Sequence, residues 1–245
     1  MDTILTPRAL ARTYEHPSYS DPWDAVVDYQ RVQEYAAKFP EAGRTRVGNA
    51  LDLPPSRVRG WLDGGKPDCV RGVHRAVEKG WFDARVNSEA FLAFNELVAA
   101  VYSGGSIDSQ RYVPTFTDES VTGALDTLGV EWVHRERDAE RAAEVVASNP
   151  GSLLGRALSV LGAPVGTKRY VEALPPYLEA APGDVREQFA TVYLRNRGHE
   201  RESHAIQFRE NRPDVYLDAL AAFLEATLGT NVTRSEKNVY IAAVC

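Results

Sequence analysis

The residues best placed to do chemistry lie at two apolar helix ends. Leu97 to Ile107 (LVAAVYSGGSI) and Phe189 to Glu200 (FATVYLRNRGHE) each read as a helix that runs into a glycine and then into a strand. Asp108 and Glu200 follow those glycines, and His199 and His204 stand beside the second. Such side chains can hold a divalent cation or act as a general base, but metal-assisted catalysis needs ligands that converge on one point. Acids two or three residues into a loop point elsewhere and are usually solvated; the histidines read equally as polar groups at a helix end and on a strand face. Arginines offer a different chemistry. Arg57 and Arg59 on a short helix, with Arg44 and Arg46 before it, can pair with guanine edges or phosphates. Cys69 and Cys245 are far apart, without CxxC or Cys/His spacing, which argues against a disulfide framework and a zinc site.

A chain of 245 residues with 44% apolar content can bury one large core or two modest ones. No apolar run reaches the roughly 20 residues that span a bilayer, and Met1 to Asp21 lacks the basic-then-apolar order of a signal peptide, so a cytoplasmic protein without membrane contact is expected. The net charge of -6 speaks against nucleic acid only until it is divided along the chain. Between Arg44 and Lys79 basic residues outnumber acidic ones, giving a local basic patch on an acidic protein. Arginine exceeds lysine throughout, as in GC-rich genomes or salt-loving hosts, between which composition does not choose.

Residues 1–22, broken by Pro7, Pro17 and Pro22, read as an irregular N-terminal arm. Helical spacing then predicts a helix over Trp23 to Phe39, a second over Arg44 to Leu51, a third over Ser56 to Leu62 closed by Gly64-Gly65, and a fourth over Val70 to Trp81. The string RTRVGNALDLPPSRVRGWLDGG resembles helix-turn-helix modules of transcription regulators, with Val47, Ala50, Leu53, Val58 and Trp61 as the expected core. That resemblance puts Ser56, Arg57 and Arg59 on a recognition helix, with Arg44 and Arg46 nearby. A solvated arginine-rich face is the plainer alternative.

From Phe91 the order of elements repeats. Helix Phe91 to Ser103 leads to strand-like Tyr112 to Thr117, helix Asp118 to Leu128, strand-like Glu131 to Arg137 and Ala143 to Ala147, and helix Pro150 to Leu161. The second copy has helix Asp184 to Arg195, strand Ser203 to Phe208, helix Pro213 to Leu228, and strands at Val232 and Asn238 to Val244. The repeated helix-Gly-strand ends and this αββαββα order resemble the LAGLIDADG family of homing endonucleases. Between the copies, LGRALSVLGAPVGTKRYVEALPPYL at Leu154 to Leu178 resembles that family's linker, a helix followed by a G-x-P-x-G-x-K turn and an lP-x-y stretch. The resemblance spans Phe91 to Cys245.

In active members of that family an acid just before each motif glycine supplies a carboxylate to shared divalent metal ions. Setting Gly105 and Gly198 on the motif glycine places Gly104 and Arg197 at the acid positions. Glycine offers no ligand, and an always-charged guanidinium repels Mg²⁺ while attracting phosphate. The helix seam carries Ala99 and Val192 where the family favours glycine, which suggests a wider or re-angled interface, and no closing helix follows the last strand of the second copy. If the saddle of strands holds DNA, Arg111, Thr115, Arg135, Arg137, Arg197, His204, Arg209 and Lys237 are its candidate contacts, with Thr117, Gln207, Thr233 and Arg234 also available.

The expected fold is therefore α+β: the arm at 1–22, a helix-turn-helix domain at 23–88, LAGLIDADG-like units at 89–168 and 184–245 forming a pseudo-twofold saddle, and a linker at 169–183. A helix-turn-helix joined to an emptied LAGLIDADG scaffold resembles the WhiA regulators, in which the two parts come in the opposite order. The resemblance implies a sequence-specific binder of double-stranded DNA, a transcription regulator without nuclease activity, needing no cofactor or metal and monomeric because its symmetry is internal. An active Mg²⁺-dependent homing endonuclease, an RNA-binding maturase-like protein and a protein-interaction module remain as alternatives.

Overall fold

The structure, a computed structural model, describes residues 4–136, 143–201 and 205–242. The chain divides into two compact units, Thr6–Phe82 and Asp83–Cys245 with Met1–Leu5. No helix among the described residues is long and apolar enough to cross a membrane.

The first unit is helical: α1 (Pro7–Ala11), α2 (Pro22–Lys38), α3 (Arg44–Leu51), α4 (Pro55–Leu62) and α5 (Asp68–Glu78). The expected irregular arm contains a helix, because Thr6 caps it through a bond from the Ala9 amide, Pro7 opens its first turn, and Leu10 and Ala11 are fully buried. Asp21 caps α2 and also grips Arg12 (Nη2–Oδ2 2.6 Å), so the prolines punctuate a folded segment. Side-chain bonding from Arg12, helped by the Trp23 amide, lowers the Asp21 carboxyl to about 2. Val32, Val47, Leu53, Val58, Trp61 and Val70 meet in the core. Ala50, expected in that core, is exposed. Helix α5 stops at Glu78, with Gly80 left-handed at φ 68° and Trp81 in a separate 3₁₀ turn.

Only Asp52, Leu53 and Pro54 separate α3 from α4; Asp52 is left-handed (φ 56°), and the Leu53 amide returns to the Gly48 carbonyl at 2.9 Å. This tight return passes over Gly48, where an added Cβ would lie 2.6 Å from the Leu53 carbonyl oxygen.

The second unit is α+β and built twice. Its first half runs α6 (Glu89–Ser103), β1 (Ser106–Ile107), β2 (Pro114–Phe116), α7 (Thr122–Thr127), β3 (Glu131–Arg135), β4 (Glu144–Asn149) and α8 (Gly151–Val160). The other half runs α9 (Gly183–Arg197), β5 (His199–Glu200), β6 (Ile206–Arg209), α10 (Asp214–Leu228), β7 (Val232–Ser235) and β8 (Asn238–Ile241). Each half closes an antiparallel sheet in the same order, β1-β2-β4-β3 and β5-β6-β8-β7. The single helix expected over Asp118 to Leu128 is a 3₁₀ turn, capped by Asp118, followed by the shorter α7. Strands β1 and β5 have two residues each, too few for a period of two to register in the sequence.

Gly48→Ala is expected to destabilise the helical unit by more than about 1 kcal/mol, since the turn backbone and not a flexible side chain blocks the new methyl. Urea unfolding followed by circular dichroism would measure the loss; an unchanged midpoint would show that the turn relaxes freely.

Candidate nucleic-acid interface

Helices α6 and α9 pack side by side in parallel, and two hydrogen bonds set their register. Asn95 Nδ2 donates to Gln188 Oε1 at 2.7 Å, and Asn196 Nδ2 donates to Ser103 Oγ at 2.7 Å; both pairs are 93 residues apart. Residues that meet their own counterparts lie on the pseudo-twofold axis, so the halves are related by that offset. Ala99 and Val192 face each other midway and are buried. Asn95, 1% exposed, also donates to the Val185 carbonyl and accepts from Tyr177 Oη at 2.7 Å, so its amide carries no unmet demand. The offset pairs Gly105 with Gly198 and Gly104 with Arg197. Both glycines sit where a helix end crosses the second strand of its sheet: an added Cβ would lie 2.6 Å from the Thr115 carbonyl at Gly105, and 2.8 Å from Ile206 Cγ2 at Gly198.

The two positions at which the sequence resemblance expects an acid hold none. At Gly104 a side chain would meet Thr117 Oγ1 at 2.7 Å. Arg197 reaches inward and forks onto Glu210, Nε–Oε1 2.9 Å and Nη2–Oε2 3.2 Å. Glu210 is 1% exposed and also accepts from Tyr193 Oη at 2.6 Å, while Arg212 Nε lies 3.6 Å away. Buried Arg212 stacks on the Tyr216 ring (4.3 Å) and donates to the Tyr102 carbonyl near the end of α6. Lys168, the lysine of the linker turn, donates to the carbonyls of Val101 (2.9 Å) and Gly105 (2.8 Å). Cations thus satisfy the C-terminal carbonyls of α6, the electronegative end of its dipole. Burial, with Arg212 and Arg197 adding repulsion, pushes the Lys168 ammonium down to about 8. Burial likewise raises Tyr102 to about 12 and Tyr193 well above its ordinary value.

These residues do not fit a divalent metal. One seat has no side chain, the other carries a guanidinium, and the nearby carboxylate is already shared by a tyrosine and two arginines. Asp108 is turned onto the amides of Gln110 and Arg111, which hold its carboxyl below the usual range. Arg197 also departs from its expected role at phosphate, because Nε and Nη2 are committed to Glu210.

Two αββαββ halves, joined through a parallel helix pair and carrying four-stranded antiparallel sheets of identical order, make the architecture clear. It is consistent with a LAGLIDADG-like α+β fold. No protein-family model and no curated protein matches the chain. Among solved structures it is similar to the N-terminal LAGLIDADG domain of DUF199/WhiA, at 9% identity and TM-score 0.41, over 69% of this chain and 83% of that one. It is also similar to full-length DUF199/WhiA from Thermatoga maritima, at 11% identity and TM-score 0.44, over 69% of this chain and 56% of that one. The chain thus spans little more than half of that full-length protein.

The remaining candidate contacts fare unequally. Arg44, Ser56 and Arg59 are exposed on α3 and α4, with Arg59 in an exposed pair with Asp63 (3.5 Å), and Arg46 lies over the Phe39 ring (5.4 Å). Arg57 is turned aside: it stacks on Tyr19 at 4.5 Å and donates to its hydroxyl at 2.9 Å, while Tyr19 donates to Asp28. Arg135 is paired with Glu144 at 2.7 Å, and Lys237 donates to the Arg212 carbonyl at 2.6 Å; neither is the free cation expected. Arg234 is held by Asp218 (2.5 Å) and Asp214 (3.4 Å). Arg111 is exposed between β1 and β2, Thr115 half-buried on β2, and Arg209 exposed at the end of β6. Arg137 and His204 lie outside the described residues. Sequence reasoning overlooked Glu210, Arg212 and Lys168; the motif lysine of the linker turn was the available signal.

Glu210→Gln removes the carboxylate charge beneath Arg197, Arg212 and Lys168, and a loss of about 3–5 kcal/mol in urea unfolding is expected. Because the folded value of Lys168 lies below its ordinary 10.5, the unfolded chain keeps a proton that the folded chain has shed. Stability from this group should therefore rise with pH from about 8, by at most about 1.4 kcal/mol per pH unit. The raised tyrosines act oppositely above their ordinary 10, so the useful window is pH 8 to 10. Lys168→Met should flatten that rise in a pH series of denaturation curves.

Proposed function

We propose that this protein binds double-stranded DNA sequence-specifically and regulates transcription, holding DNA on a scaffold that does not cut it. The observation that carries this reading is the pairing of half-exposed Arg197 with buried Glu210 opposite Gly104. A saddle of this type hydrolyses DNA only when two carboxylates share metal ions at the helix ends, and here one end is vacant and the other already neutralised. The scaffold around that point is otherwise complete, with both motif glycines in their tight crossings and the linker tied to the helix pair through Lys168 and Tyr177.

The helical unit supplies a second reading head. In this reading α3 and α4 form a helix-turn-helix, with Ser56, Arg59 and Gly60 on the exposed side of the recognition helix and Arg44 and Arg46 at the phosphates. Arg57 positions the module through Tyr19 and does not itself read bases. Two heads on one chain raise each other's effective concentration, so a monomer suffices.

Selection from a random duplex library in Mg²⁺ at controlled salt, with the same pool scored for strand breaks, tests the reading. An enriched, uncut motif is expected. Arg59→Ala should weaken binding to it by about 1–3 kcal/mol, whereas Arg57→Ala should mainly lower the stability of the helical unit. Cuts within the motif would restore nuclease activity, and the absence of any enrichment would remove DNA as the partner.

A further inference from the structure

The two sheets have the same topology and opposite surface chemistry. Strand register makes the row Ser106–Thr115–Val146–Val133 of the first equivalent to His199–Gln207–Tyr240–Thr233 of the second. Both rows lie on the open face, because the alternating residues Phe116, Val145 and Ala147, and Phe208, Val239 and Ile241, are buried.

On the first sheet this face is centred on valines, and among the described residues its charges are paired. Val133 is 51% exposed and Val146 half-buried beside it, and the next row holds Arg135 and Glu144 in a 2.7 Å ion pair. On the second sheet the equivalent rows carry His199, Gln207, Tyr240, Arg209 and Asn238, and Arg201 approaches the Tyr240 ring at 5.9 Å. His199, Arg201, Gln207, Phe208, Arg209 and Asn238 line one shallow cavity of about 270 Å³. No carboxylate lines it, and neither Arg201 nor Arg209 has an ion-pair partner among the described residues. Glu200 falls on the other face, in register with Ile206 and Ile241.

Resting on the DNA-binding reading above, we infer that this unit engages duplex DNA from one side only: the open face of β5–β8 enters a groove, and the equivalent face of β1–β4 does not. Two guanidinium groups without an ion-pair partner among the described residues suit phosphates or the acceptor edge of guanine, and the carboxamides of Gln207 and Asn238 can each donate to and accept from adenine. Among the described residues the first face offers neither, since Arg135 is neutralised and the centre is valine; these residues would give no counterion release, and the valines would leave base edges unpaired.

The test uses the full chain and the duplex recovered by library selection. Arg201→Ala with Arg209→Ala should weaken binding at least tenfold and reduce the magnitude of the slope of log K against log salt by about 2. Val133→Thr with Val146→Thr should leave affinity within twofold. Thermal melts check that both double variants remain folded, as exposed Arg201, Arg209 and Val133 and half-buried Val146 predict. Retained affinity in the arginine variant, or an equal loss in the valine variant, overturns one-sided engagement while leaving DNA binding intact. Failure of the unmodified chain to bind any duplex overturns both readings.

Discussion

The parallel pairing of α6 with α9 is the constraint on which the rest of the second unit depends. Two helices that bury a shared seam must satisfy every polar group they bring to it, and here the polar groups also define the match: Asn95 to Gln188 and Ser103 to Asn196, with Ala99 against Val192 between them. A slip along the axis would strand a buried amide, so the seam has one low-energy register. The linker closes over it, with Tyr177 on Asn95 and the Tyr102 hydroxyl donating to the Gly162 and Ala173 carbonyls. Each sheet then hangs from a helix end at a glycine that admits no side chain.

At the far end of this seam, protein cations gather around one buried carboxylate. Glu210, buried beneath Arg197, is paired and hydrogen-bonded on both oxygens, the condition under which a charge survives in a core. Lys168 and Arg212 meanwhile satisfy the carbonyls of α6 from outside that helix, tying the linker and the second half to the first. The cations gathered at this point thus also fasten the two halves together.

The surfaces diverged while the topology did not. Burial constrains one face of each sheet and leaves the other to function, so identical strand orders carry, among the described residues, a valine-centred face with paired charges in one half and a polar face with unpaired arginines in the other. In the helical unit, similarly, the core residues around Trp61 build the α3–α4 pair while the exposed side of α4 stays thinly charged.

Much of the fold was legible in the chain itself. Helices α2, α3, α4, α6, α9 and α10 follow from apolar spacing and caps, because a helix face that must be buried repeats every three to four residues. The doubled element order and the linker motif further indicated an α+β repeat. Periodicity missed α1, whose five residues make too little of a pattern, and the two-residue strands β1 and β5. It also ranked the basic residues poorly, because a positive charge in a sequence does not show whether it is spent. Arg57 on Tyr19, Arg135 on Glu144, Arg197 on Glu210 and Lys237 on the Arg212 carbonyl each have a partner supplied by the fold. The sequence by itself determined most of the helices, where the chain repeats and that Gly104 and Arg197 precede the two helix-end glycines, since these depend on local propensity and residue identity. Tertiary structure alone decided which cations are neutralised and which sheet face is left open to a partner, because pairing acts between side chains that only the folded backbone brings within a few ångströms.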